Sequence, residues 1–195
     1  QLLISMLNLR IDKAREDHRN LLREIEQQIY TVYLVHDHLF THEQFDLVDL
    51  RTYTEELVSA LRQGMFAQGQ HLDVECQCQS FLVPIDRAIS IGVIINEITT
   101  DCLKQVCTQE PSERISIELF QQNRETIVLR VQSYQCRHGV EPGKTADSFG
   151  LVEVLCGQLG GSMRRSPGNT YLVEITFDPA TLLGPAGEVK KITRR

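Results

Sequence analysis

The stretch GVIINEITTDCLKQV, residues 92–106, decides how the chain is read. At helical spacing Glu97, Asp101 and Lys104 share one stripe, at i, i+4 and i+7. Ile94, Ile95, Ile98, Cys102 and Val106 cover much of the rest. Two carboxylates one turn apart repel by about 0.2–0.5 kcal/mol on an exposed helix. Lys104, one turn further, can offset that repulsion, and so can a bound cation. The spacing therefore fits two readings: a packed helix with a polar face, or a helix offering oxygen ligands to a bound cation.

Outward from this helix, the pattern alternates. HLDVECQC (71–78) reads as a strand, and Pro84 suits the start of the 92–106 helix. ISIELF (115–120) and TIVLRVQSY (126–134) read as strands joined by a QQNRE turn. SFGLVEVLCGQLGG (148–161) reads as a helix opening near Gly150 and closed by Gly160 and Gly161. TYLVEITF (170–177) is a last strand, and 179–195, ending KKITRR, is expected to be a mobile tail. Toward the N-terminus, LVDLRTYTEELVSALRQ (47–63) places Leu50, Tyr53, Leu57 and Leu61 on one helical face, with Asp49 as N-cap. Before it, QLLISMLNLRI and a stripe of Leu22, Ile25, Ile29, Val32, His36 and Leu39 predict a helical hairpin. A hairpin this small cannot bury its apolar faces alone, and pairing into a dimeric four-helix bundle would bury them. The expected fold class is α+β: a helical hairpin followed by an α/β sandwich with a mixed sheet.

Composition narrows the function. The chain has 195 residues, 42% hydrophobic and 24% charged, with net charge −6. The acidic balance argues against nucleic-acid binding, and no apolar run suggests membrane contact by this segment. The six cysteines show no zinc-type spacing, and reduced thiols of a cytoplasmic protein are the expectation. Cys76-Gln-Cys78 points both thiols to one face of a strand. His36 is read as a packing residue, and no Ser-His-Asp or Cys-His spacing stands out. The start at Gln1 suggests a piece of something longer.

Taken in order, LVHDHLF, VDLRTYTEELV, VPIDRAISIGVIINEITTDCLKQV and FGLVEVLCGQLGGSM resemble a bacterial sensor histidine kinase core. The nearest group is the HWE-type kinases and relatives with a His-Arg-Val-Lys-Asn phosphoacceptor box. The resemblance runs from Gln1 to about Phe177. It implies a dimerisation and histidine-phosphotransfer region over 1–66 and a GHKL-type ATPase domain over 67–178. It also implies a phosphoacceptor histidine upstream of Gln1, Mg-ATP as cofactor, a homodimer, and a response-regulator receiver domain docking near residues 41–50.

Carried over by position, the resemblance makes Asn96, Glu97, Lys104, Ser148, Gly150 and Leu151 candidates for nucleotide binding, with Asp101 as the magnesium ligand. Asp101 stands where the family has Asn, and a carboxylate oxygen suits Mg²⁺. The family's Asp-x-Gly-x-Gly adenine box is replaced by Ser133-Tyr134-Gln135-Cys136-Arg137. That loss points to a degenerate kinase-like protein acting as a histidine phosphotransferase or phosphatase partner of a response regulator. The alternatives are an active ATP-dependent kinase with a divergent pocket, and a non-catalytic dimerisation and docking module.

Overall fold

The computed structural model describes residues 22, 25, 29, 30, 33, 47–66, 73–105, 114–133, 149–166, 171–185 and 188–189. The expected hairpin and four-helix bundle lie almost wholly outside these residues; Leu22, Ile25, Ile29, Tyr30 and Tyr33 are helical. The described elements are β1 (Leu47–Asp49), α1 (Leu50–Phe66), β2 (Asp73–Cys78), β3 (Phe81–Pro84), α2 (Ile85–Gln105), β4 (Arg114–Asn123), β5 (Thr126–Ser133), α3 (Gly150–Gln158), β6 (Ser162–Arg165), β7 (Tyr171–Phe177), α4 (Pro179–Leu183) and β8 (Glu188–Val189).

Five strands form a mixed sheet in the order β2-β4-β5-β7-β6. The β2–β4 pair is parallel, and the other three pairs are antiparallel. Period-two alternation sets its two faces. Ile115, Ile117, Leu119, Ile127, Leu129, Val131, Val173, Ile175 and Phe177 point to the buried face. Leu50, Tyr53 and Leu57 of α1, Ile91, Ile94, Ile95 and Ile98 of α2, and Val152 and Cys156 of α3 join them in one core. On the opposite face Glu118, Arg130 and Glu174 lie in register across β4, β5 and β7. Arg130 bridges both carboxylates, at 3.0 Å to Glu118 and 2.8 Å to Glu174.

The expected strands and helices of 71–177 are present, and four short strands join them. β1, β3 and β8 form a separate antiparallel sheet, and β6 edges the large one. Their brevity hides them in the sequence: two to four residues carry no measurable alternation. Pro84, read as the helix start, is instead the last residue of β3, and α2 begins at Ile85. α1, grouped by sequence with the helical region 1–66, packs into the core of the sandwich. Asp49 ties its start to β3: Oδ1 accepts from the Arg51 N–H and Oδ2 from Ser80 Oγ at 2.7 Å.

The expected mobile tail of 179–195 needs correction over its first half. Asp178 caps α4 by accepting from the Ala180 and Thr181 N–H groups, and Pro179 opens the helix. Pro179, Leu182 and Leu183 are buried, and Arg87 donates to the Thr181 carbonyl. β8 then pairs with β3. The physical reason is that three apolar residues there reach the core, which the Gly/Pro-rich composition of the segment obscures.

Candidate functional site

Helix α2 carries the central candidates: its apolar pattern buries Ile94, Ile95 and Ile98, and Asn96, Thr99 and Asp101 are buried with them. Asn96 is buried, and its Oδ1 has no hydrogen-bond partner among the described residues. Glu97 is half-buried. Asp101 is 4% exposed, so it sits in the core rather than on a solvated stripe. Lys104 lies on α2 with its side chain outside the described residues, and Ser148 is outside them altogether.

Asp101 has a partner that the sequence did not suggest. Tyr171, the first residue of β7, donates its phenol hydroxyl to Asp101 Oδ2 and to the Ile98 carbonyl, each at 3.0 Å. Burial, with the Asp101 charge adding to it, pushes the Tyr171 phenol well above the usual tyrosine range. The group is therefore a fixed proton donor at ordinary pH. Seventy positions separate Asp101 from Tyr171, and no local spacing could have paired them.

Tyr171 pairs across the sheet with Ser133, the last residue of β5. Directly opposed residues share a face, so Ser133 also points toward the helices. It is fully buried, and its Oγ has no hydrogen-bond partner among the described residues. Ser133 is the residue that the resemblance sets against the family's adenine-binding Asp, and the neighbouring Tyr171 spans from sheet to α2 beside it.

The other half of the candidate site opens α3. Phe149 is its N-cap, with φ −94° and ψ −9°, and no side chain caps the first turn. Gly150 is exposed, and a Cβ there would meet nothing within 4 Å. Leu151 is 41% exposed. A helix start without a side-chain cap is an arrangement able to receive an anion. Its end is a Schellman closure: Gly160, at φ 63°, donates to the Gly157 carbonyl and Gly161 to that of Cys156. α2 and α3, which carry the two halves, are packed neighbours.

Among the described residues, this set does not fit Mg-ATP as a whole. The orphaned Asn96 Oδ1 and the uncapped α3 start are suited to the metal and phosphate end. The base end lacks a carboxylate, and Tyr171 bridges the gap between sheet and α2. No cluster of three His, Cys, Asp or Glu side chains able to hold a metal occurs among the described residues. A cavity of about 560 Å³ lies elsewhere, between α1 and the β2 edge, and none of the candidate residues lines it.

Comparisons with known proteins agree with the sequence resemblance. The histidine kinase family model matches residues 1–65, the first third of the chain. The fold is similar to the histidine kinase domain of the blue-light activated histidine kinase EL346 of Erythrobacter litoralis, with TM-score 0.69 at 14% identity over 91% of this chain and 93% of that one. Against the longer structure of that kinase the TM-score is 0.68 at 15% identity, over 91% of this chain and 59% of the other. Acinetobacter baumannii histidine kinase AdeS gives 0.55 at 14% identity, over 90% and 94%. Comparison with curated proteins finds no match. The chain thus has the fold of a sensor histidine kinase core, and its first third matches the histidine kinase family model. No helix among the described residues is long and apolar enough to cross a membrane.

Proposed function

We propose that this chain is a degenerate, histidine-kinase-like protein of a cytoplasmic two-component pathway. It acts as a histidine phosphotransferase or phosphatase partner of a response regulator and does not use ATP. The observation that carries this reading is the Tyr171–Asp101 hydrogen bond beside Ser133. The carboxylate the resemblance offers to magnesium is engaged within the core, and the base-binding carboxylate is a serine. Dimerisation falls to residues 1–40, and the receiver domain docks near residues 41–50.

In this reading the sandwich keeps its shape for docking rather than for nucleotide turnover. Asn96, Glu97, Gly150 and Leu151 are then remnants of a phosphate-facing surface. The alternative, an active kinase with a divergent pocket, is favoured by the unpartnered Asn96 Oδ1 and the uncapped α3 start. There Asn96, Glu97 and Asp101 would hold Mg-ATP, which would supply the phosphoryl group for transfer to histidine.

Nucleotide binding separates the two. A kinase held at about a hundredfold excess of Mg-ATP over Kd gains about 2.7 kcal/mol of stability. The proposal expects no magnesium-dependent shift at millimolar nucleotide. It also expects phosphoryl transfer between a phosphorylated receiver and a chain extended into the segment assigned to the phosphoacceptor. A nucleotide shift abolished by Asn96→Ala would overturn it.

A further inference from the structure

Two cysteines that the proposed function does not use stand together on β2. Cys76 and Cys78 are two residues apart on one strand, so both thiols leave the same face. That face packs toward the core, and their Sγ atoms lie 3.6 Å apart. Both are free thiols and half-buried. Cys76 lines the cavity between α1 and β2, where Arg62 and Arg114 are joined by Glu55, Asp73 and Glu75, while Cys78 does not. β2 is an edge strand of the large sheet, so the cavity gives solvent a route to Cys76.

The two thiols are chemically unequal. The Cys78 thiol hydrogen-bonds to Cys76 and lowers its pKa below the usual thiol value. Burial and Glu55 oppose that shift, and Arg62 and Arg51 assist it. The same hydrogen bond, followed by burial, pushes Cys78 up. Cys76 is thus the sulfur that solvent reaches through the cavity, with the Cys78 sulfur beside it. Low thiolate pKa, access and an adjacent resolving cysteine are the conditions for selective oxidation.

We propose that Cys76 and Cys78 form a reversible oxidation site for hydrogen peroxide or a small organic hydroperoxide. The Cys76 thiolate attacks the O–O bond, which breaks. Sulfur takes one oxygen to become a sulfenic acid, and the other oxygen leaves as water or alcohol after taking a proton. The sulfur is oxidised by two electrons and the peroxide reduced by two. Cys78 then attacks the Cys76 sulfur; the S–S bond forms, the S–O bond breaks, and hydroxide leaves with the Cys78 proton as water. Residues i and i+2 of a strand lie about 6.6–6.8 Å apart at Cα, near the outer limit for a disulfide. A bridge at that limit is readily reduced by a dithiol, so the site resets.

The test uses the full 195-residue chain, reduced and then treated with hydrogen peroxide, followed by peptide mapping. The expected product is a peptide with Cys76 linked to Cys78, two hydrogens lighter and restored by dithiothreitol. In Cys78→Ser, dimedone should trap a sulfenic acid on Cys76; in Cys76→Ser, Cys78 should stay unmodified. The proposal is overturned if peroxide leaves both thiols free while other cysteines oxidise. It is equally overturned if Cys78 is trapped in Cys76→Ser. The wild-type map alone decides the matter should either serine variant fail to fold.

Discussion

Tyr171→Phe is the most informative single change. It removes one hydroxyl and leaves the ring in place, so packing is nearly conserved. The lost donor served the Asp101 carboxylate and the Ile98 carbonyl, both in the core. A hydrogen bond to a charged group contributes about 1.5–3 kcal/mol, and the buried carboxylate is left short of a donor. For a chain of this size that corresponds to a Tm lower by roughly 3–12 °C. Urea or thermal unfolding of Tyr171→Phe, Asp101→Ala and the double variant forms a cycle whose coupling should exceed about 0.5 kcal/mol. Adding Mg-ATP to each sample links the stability measurement to the functional one. The reasoning fails if Tyr171→Phe costs less than about 0.5 kcal/mol. It fails as well if wild type gains stability from Mg-ATP and Asp101→Ala does not, since Asp101 would then be a metal ligand.

The remaining predictions address other parts of the fold. Burial raises the pKa of both Tyr53 and Tyr171, so the folded chain holds protons that the unfolded chain loses above about pH 10. Stability should therefore be complete below that pH and fall as pH rises beyond it, less steeply in Tyr171→Phe, as read by urea midpoints across pH. A Cβ at Gly92 would fall within the Tyr53 phenol; Gly92→Ala should cost about 1–3 kcal/mol by overpacking, and an unchanged urea midpoint would contradict the packing. Ser133→Ala removes a buried hydroxyl with no partner among the described residues, so its stability should be unchanged or up to about 1 kcal/mol higher. A clear loss on urea unfolding would show that Ser133 does bond something. Arg130→Ala leaves Glu118 and Glu174 flanking the vacated position; it should cost about 1 kcal/mol, less at high salt, because the trio is partly exposed.

The amphipathic pattern of 85–105, the alternation of 71–78, 115–120, 126–134 and 170–177, and the glycine closure at 160–161 are local properties. They are legible because burial repeats with the period of each element. From them the sequence by itself determined an α+β sandwich with a mixed sheet and placed Asn96, Glu97 and Asp101 on one helix. Their order along the chain also carried the resemblance to a histidine kinase core. Strands as short as β1, β3, β6 and β8 have too few residues to show a period, and pairing partners supplied by distant segments create them. The same holds for α4, where Leu182 and Leu183 become core residues only because the helix packs against β3, a strand far earlier in the chain. Above all, the sequence could offer Asp101 to a cation but could not bring Tyr171 to it. That contact depends on β7 lying next to β5 and beneath α2, a long-range arrangement, and so only the tertiary structure decided what this carboxylate binds.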